Sequence, residues 1–391
     1  MDRARVLQEV RAMRFEEIYG RWTESRLTQE EAAQILGVCE RQFRRQCRRY
    51  ELDGVEGLID RRIGQLSWRR APVDEVLGLA EHYRGRYAGW TVKHFYTKYQ
   101  QAGGARSYNF VRLALQASGE VKRAKRRGAH RRRRERKPLF GMMLHQDGSR
   151  HEWLRDQQHD LIVSLDDASG RILSAFLVEE EGTMSSFMGM REVIEAHGLF
   201  NSLYTDRGTH YWNTPKAGGK VDRVNLTQFG RAMAQLGVEM IPAYSPQARG
   251  RSERIFATLQ DRLPKELADA GIATVEAANR FLKRRFIPGY NREFAVAPAE
   301  AGSACVPWIG AHLEDILCLQ ENRTVRPDNC VTYKNLVLQI PADQHRCHYV
   351  KAKVRVHEYP SGGFAVFHGP RCLAHYDAQG KAVKVKLRKA A

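Results

Sequence analysis

The chain has 391 residues, 42% of them hydrophobic, which is enough for several domains and excludes wholesale disorder. Its 64 Lys and Arg stand against 45 Asp and Glu, a net charge of +19 that clusters rather than spreads and so points to nucleic acid as partner. No apolar run reaches the roughly 18 residues of a membrane span, the N-terminus lacks a secretory apolar stretch, and seven cysteines without CxxC spacing exclude a disulfide framework. A cytoplasmic, nucleoid-associated protein with reduced thiols and no membrane partner is the expectation.

Residues 1–64 read as a helix-turn-helix DNA-binding domain. Thr28-Gln-Glu-Glu31 is a capping box, in which a hydroxyl and a carboxylate satisfy free amides at a helix start. Ala32, Ala33, Ile35 and Leu36 supply an apolar face, and Gly37 permits the turn that ends the helix. In the next helix Phe43 and Cys47 face inward at i, i+4, while Arg41, Arg44, Arg45 and Arg48 share the opposite face, as a major-groove reader requires. A plain helical hairpin with a solvated basic face is the alternative.

Residues 65–121 read as a second helical DNA-binding unit, with Trp90, Phe95, Tyr96 and Tyr99 ahead of Gly103-Gly104. A helix capped by Ser107 follows. Its expected inner stripe is Phe110, Leu113, Ala114 and Ala117, which leaves Tyr108, Arg112 and Gln116 outside. The stretch 122–138 is a basic linker: Lys122–Lys137 holds 11 Lys or Arg, including Arg131, Arg132, Arg133 and Arg134, against one Glu. Such a run cannot enter a core and suits phosphate neutralisation.

From 139 to 300 the pattern is α/β. Phe140–His145, His159–Leu165 and Arg171–Val178 read as strands, the last two joined by the hairpin turn Asp166-Asp-Ala-Ser-Gly170. A helix at Thr183–His197, a strand at Ser202–Thr205, a helix at Leu226–Leu236 and a strand at Val238–Ala243 follow. A helix over Arg251–Asp269, expected to kink or divide at Pro264, completes the order of a ribonuclease-H-like sheet. Residues 301–391 read as a linker and a small C-terminal β-barrel. There Val350, Ala352, Val354 and Val356 alternate with the basic Lys351, Lys353 and Arg355, and Val383, Val385 and Leu387 alternate likewise. His345, Cys347 and His348 match no zinc spacing and read as strand residues.

Three carboxylates stand out by position. Asp147 and Asp206 follow the first and fourth strands, which lie side by side in this topology, and Glu253 begins the stripe continued by Phe256, Leu259 and Leu263. The intervals hold 58 and 46 residues. Converging carboxylates cannot all stay ionised cheaply without cations. Hard oxygen donors favour Mg²⁺ or Mn²⁺, and two ions per site would serve phosphodiester chemistry. Asp166 and Asp167 rival Asp147 but sit in a turn, where Asp is common for local reasons. Glu239 and Glu266 rival Glu253.

At these residues the chain resembles a known family. LeuTyrThrAspArgGlyThrHisTyr, around Asp206, is similar to the second-aspartate motif of retroviral integrases and related transposases. ProAlaTyrSerProGlnAlaArgGlyArgSerGluArg resembles their loop and helix carrying the catalytic glutamate, and Tyr290-Asn-Arg with Pro298 resembles the stretch closing this core in bacterial elements. Nearly the whole chain resembles a DDE-type insertion-sequence transposase, ISNCY-like. About a dozen extra residues, Asn213 to Asn225, lengthen the interval before the glutamate beyond the family's usual mid-thirties. The resemblance implies a metal-dependent enzyme that binds double-stranded DNA at terminal inverted repeats, cleaves the ends and joins the 3′-hydroxyl to target DNA as a synaptic homo-oligomer. Gln247, Arg249, Arg251 and Arg254 would position DNA there. A nuclease of the same fold without strand transfer, or a DNA-binding regulator, are the alternatives.

Overall fold

The structure is a computed structural model that describes residues 3–60, 71–123, 135–216, 219–244, 246–310, 312–342 and 344–383. The chain divides into two compact units, Met1–Arg86 with Leu113–Glu120, and Tyr87–Arg112 with Val121–Ala391.

In the first unit, α1 (Arg3–Thr23) precedes α2 (Gln29–Leu36) and α3 (Glu40–Asp53), and α4 (Val73–Arg86) follows. Phe15 and Ile18 of α1 pack on Ala32, Ala33, Phe43 and Cys47. Sequence reasoning missed α1, whose apolar residues split between this buried side and an exposed Val6, Val10 and Met13. The capping box of α2 is present: the Glu31 amide donates to Thr28 Oγ1, and the Thr28 amide donates to Glu31 Oε2 at 2.8 Å. Gly37 ends α2 at φ 69°, a left-handed conformation that glycine adopts without a Cβ clash. Ile35, expected inside, is exposed.

The helix α5 (Val92–Gln101) belongs to the second unit, and α6 (Tyr108–Ala117) spans the division. Ser107 caps α6, accepting from the Phe110 amide at 3.3 Å. Its buried stripe is Val111, Ala114 and Leu115, while Leu113 is exposed. The helix is therefore rotated by about one residue from the expected stripe, because the fully buried Val111 and Leu115 outrank Phe110 as core anchors.

The second unit is built on a five-stranded sheet of β1 (Leu144–Leu154), β2 (Gln157–Asp166), β3 (Ile172–Val178), β4 (Ser202–Thr205) and β5 (Glu239–Pro242). Its order is β3-β2-β1-β4-β5; the first three strands are antiparallel, and β4 and β5 run parallel to β1. This is the expected ribonuclease-H-like order. On one face α7 (Thr183–His197) and α8 (Gln228–Gln235) bury Phe187, Met190, Phe229 and Met233 against Leu144 and Leu203. On the other, α9 (Pro246–Asp269), α10 (Val275–Phe281) and α11 (Ile287–Phe294) bury Phe256, Leu259, Leu263, Ala278 and Tyr290 against Leu161, Val163 and Leu165. Pro264 lies inside α9 without dividing it, since Leu263 and Leu267 on either side are held in the core. Asn291, in the Tyr-Asn-Arg stretch, exchanges hydrogen bonds with both backbone groups of Ile172 at 2.8 and 2.9 Å. Asn279 does the same at Leu177, so two side-chain amides satisfy the outer edge of β3.

The C-terminal strands are β6 (Leu319–Thr324), β7 (Cys330–Tyr333), β8 (Leu336–Gln339), β9 (Lys353–Glu358), β10 (Phe364–His368), β11 (Arg371–Tyr376) and β12 (Ala382–Val383). They form a sheet of order β12-β11-β10-β9-β6 and a β7-β8 ribbon. Val331, Tyr333 and Leu338 of the ribbon pack on Val354, Val356 and Val366 of the sheet. The barrel expected here is an open sheet with a ribbon on its face, because no pairing joins β12 to β6 among the described residues. Val350 to Ala352 form a turn ahead of β9, with Lys351 at φ 63°, so the alternation begins only at Lys353. His345, Cys347 and His348 lie in the loop before that turn rather than in a strand. Val385 and Leu387 lie outside the described residues. Among the described residues, no helix is long and apolar enough to cross a membrane.

Candidate active site and nucleic-acid interface

The sheet order sets the site. The parallel ladder pairs Leu144 with Leu203 and His145 with Tyr204. Counting two residues on from that last pair reaches Asp147 within β1 and Asp206 just past the end of β4. Asp147 lies within β1, opposite Val163, and is buried. Asp206 follows the end of β4, where its Oδ1 accepts from the Gly208 amide at 2.8 Å.

Tyr211 reports on the charge gathered here. Its hydroxyl donates to Gln146 Oε1 at 3.1 Å and accepts from Ser186 Oγ at 3.2 Å. Burial, then the Glu181 carboxylate, with smaller contributions from Asp147 and Asp206, push its pKa well above the usual tyrosine range and make it a weaker acid; the Ser186 bond opposes them. Two aspartates and a third carboxylate therefore act on one buried phenol. Sequence reasoning missed that third carboxylate, Glu181, and its neighbour His210, whose Nε2 lies 3.5 Å from Glu181 Oε1. The available signal was His210 itself, four residues beyond Asp206 in the motif.

Glu253 lies near the start of α9 and is exposed. It precedes Phe256 and Gln260 at i+3 and i+7, the stripe that faces the sheet, and Gln260 Nε2 donates to Ser149 Oγ of β1 at 2.9 Å. Ser149 and Asp147, two apart on β1, share one face of the strand. Among the described residues, no group of three or more His, Cys, Asp or Glu is gathered closely enough to hold a metal ion. The three carboxylates are thus not drawn into one such group; Asp147 and Asp206, two residues beyond the last β1–β4 pair, carry the hard oxygen donors that a divalent cation takes.

The rival acids have structural partners. Asp166 Oδ1 accepts from the Gly141 amide at 3.0 Å, and its Oδ2 accepts from the Ser169 amide and hydroxyl at 2.7 and 2.6 Å. Asp167 meets His145 Nε2 at 2.8 Å and accepts from the Lys137 amide at 2.8 Å. Both are fully buried and hold the β2–β3 turn. Glu266 is bound by His94 Nε2 at 2.7 Å and Lys98 Nζ at 2.6 Å, which dock α5 on the last turns of α9. Glu239 is exposed on β5.

For the nucleic-acid contacts, Arg41, Arg44, Arg45 and Arg48 are exposed on α3, opposite the buried Phe43 and Cys47. Arg112 is half-exposed on α6, Arg254 is exposed on α9, and Lys351, Lys353 and Arg355 are exposed at and before β9. Gln247, Arg249 and Arg251 fall within α9. Arg131 to Arg134 lie outside the described residues; at the end of that run Arg136 donates to the Ala168 carbonyl at 2.9 Å. The extra residues after Asp206 wall a mostly apolar cavity of about 260 Å³, lined by Trp212, Arg223, Leu226 and Met240.

Residues 20–75 match the winged helix-turn-helix family. The chain is 35% identical over 161 residues to the transposase for insertion sequence IS1202 of Streptococcus pneumoniae, covering 41% of this chain and 34% of that protein. Among solved structures, it is similar to the HTLV-2 integrase catalytic core domain in complex with magnesium, at 15% identity and TM-score 0.29 over 38% of this chain and 88% of that one. It is also similar to the simian T-cell lymphotropic virus intasome in complex with PP2A regulatory subunit B56 gamma, at 14% identity and TM-score 0.34 over 78% of this chain and 99% of that one. Across most of its length it matches the protein named transposase y4bF in Sinorhizobium fredii (strain NBRC 101917 / NGR234), 31% identical over 354 residues that cover 88% of this chain and 76% of that protein. On that similarity, with a helix-turn-helix for binding DNA at its N-terminus, the chain belongs to the transposase family.

Proposed function

We propose that this transposase cleaves DNA ends and joins the 3′-hydroxyl to target DNA, with Asp147, Asp206 and Glu253 as its catalytic carboxylates. The observation that carries the reading is the parallel β1–β4 pairing, which brings Asp147 of β1 and Asp206, just past the end of β4, to matching positions, with Glu253 on the stripe of α9 that continues to Phe256 and Gln260. The three carboxylates would hold Mg²⁺ or Mn²⁺, two ions per site, which supply charge neutralisation at the phosphodiester and an activated oxygen nucleophile. In this reading β1 holds Asp147, the turn after β4 holds Asp206, and the start of α9 supplies Glu253 and the neighbouring Arg254. Residues 1–64 and 65–121 read the terminal inverted repeats, 122–138 neutralises phosphate, 139–300 is the catalytic core, and the basic strand face at 351–355 adds DNA contacts. Joining two ends in one event calls for a homo-oligomer.

The test incubates the purified chain, Mn²⁺ and a plasmid carrying the element's ends, and resolves the products. Strand nicks at the ends together with joined products are expected. They should be lost in Asp147→Asn, Asp206→Asn and Glu253→Gln while end binding persists. Nicks without any joined product would favour the nuclease reading, and cleavage by Asp147→Asn at the wild-type rate would overturn the site.

A further inference from the structure

The turn that follows Asp206 is held from two sides. Inside, the Tyr211 and Trp212 amides donate to the Gly208 carbonyl at 3.0 and 2.9 Å, and Trp212 Nε1 donates to Thr205 Oγ1 at 2.9 Å. Outside, His210 reaches Glu181 at an ion-pair distance of 3.5 Å. Glu181 is anchored to two strands in turn. Its amide donates to Asp160 Oδ2 of β2 at 2.7 Å. Its carboxylate lies on the backbone of Gly148 in β1, where an added Cβ would fall 2.2 Å from Glu181 Oε2. Gly148 directly follows Asp147. Glu181 therefore links the residue after one candidate ligand to the residue four beyond the other, and only glycine at 148 leaves room for it.

We propose that Glu181 is a positioning residue for the Asp147–Asp206 pair, clamping β1 at Gly148 to the turn after β4 through His210 and adding negative charge that favours a divalent cation. The inference rests on the metal-binding reading of the two aspartates. The clamp matters because Asp206 lies beyond the last ladder pair of β4, so its separation from Asp147 depends on how that turn is held. A carboxylate poised near two others is costly by itself, and the half-buried His210 lies beside it at 3.5 Å.

Gly148→Ala tests the clamp without altering the carboxylate. The atoms a Cβ would strike are the far end of the Glu181 side chain, which can swing aside. Mn²⁺ is titrated onto the full chain, read by the paramagnetic resonance of the free ion, for wild type, Gly148→Ala, Glu181→Ala, the double variant and Asp147→Asn. Each single change should weaken Mn²⁺ binding by about tenfold, the scale for residues that orient metal ligands. The double variant should be no worse than the weaker single, because both remove one contact. Glu181→Asp should keep more affinity than Glu181→Ala, and thermal midpoints should stay at the wild-type value. If Gly148→Ala does not fold, the Glu181 variants carry the test. Wild-type affinity in the Glu181 and Gly148 variants alongside a loss in Asp147→Asn would overturn the clamp, as would additive losses in the double variant. Unchanged affinity in Asp147→Asn would instead overturn the metal reading beneath it.

Discussion

Gln260 of α9 donates its side-chain amide to the Ser149 hydroxyl of β1 at 2.9 Å, two residues beyond Asp147 on the same face of the strand. This polar bond sits beside the apolar contacts of Phe256 and Leu259 with the sheet and fixes the register of α9 along β1. Glu253 lies two turns upstream of Gln260 on the same stripe.

Gln260→Ala should therefore slow cleavage by roughly tenfold, through misplacement of Glu253 rather than loss of a reacting group. Terminal-repeat binding should hold. Single-turnover cleavage against a binding titration separates the two effects; a fall in both together would show that the bond merely supports folding.

Asp166→Asn should behave unlike the catalytic changes. Its carboxylate accepts three hydrogen bonds in a fully buried turn, and an amide can accept through only one of its two terminal atoms. The expected loss is about 1–3 kcal/mol of stability, read as a lower thermal midpoint with residual cleavage in the surviving folded fraction. Full stability with no cleavage would move Asp166 into the catalytic set.

On α3 the two faces should separate cleanly. Phe43→Ala removes a fully buried ring and should cost about 3–5 kcal/mol, unfolding the N-terminal helices. Arg44→Ala, at an exposed position, should leave stability unchanged and cost about 1–3 kcal/mol of discrimination for the terminal repeat if the arginine reads a base. Circular dichroism melts and competition binding against random DNA distinguish them.

The contact between α5 and α9 predicts an acid sensitivity. Burial, opposed by the hydrogen bond to Glu266, holds the His94 pKa below the usual histidine value, so His94 is neutral in the folded protein and donates Nε2–H to the carboxylate. The His94 and Lys98 hydrogen bonds overcome burial and lower the Glu266 pKa. Both depressions act in the same direction. The His94 contribution is complete above the unfolded histidine pKa of about 6.5 and is lost as pH falls below it; the Glu266 contribution fades further down, below about 4.5. The thermal midpoint of the full chain should fall between pH 6.5 and 5, and His94→Gln, which keeps a donor but does not titrate, should flatten that fall. An unaltered slope in the variant would show that other groups govern it.

Much of this was legible in the sequence where local chemistry and tertiary packing agree. The capping box at Thr28, the glycine after α2, the helix Thr183–His197 and the strand Ser202–Thr205 stand where their residues place them. The misses share a cause: a polar or divided pattern overridden by packing. Well over half of β1, the run from Gln146 to Glu152, lacks a large apolar side chain, yet it pairs with β2 along its length. The inner stripe of α6 was misread because Leu113 is as apolar as Leu115 but faces solvent. Glu181 was invisible because its contact with Gly148 spans 33 residues and depends on a hydrogen atom where another residue carries a methyl.

The two compact units are interleaved along the chain, since Tyr87–Arg112 leaves the first and joins the second before the chain returns at Leu113. Lys98 and His94 then bind that excursion to Glu266, far downstream of the arginine run. A protease that nicks the chain between Arg123 and Glu135 would thus sever the polypeptide without freeing an N-terminal reader. The upstream fragment would keep a docking peg seated in the downstream one, and the two pieces would co-elute as a split protein until acid or denaturant drew the peg out.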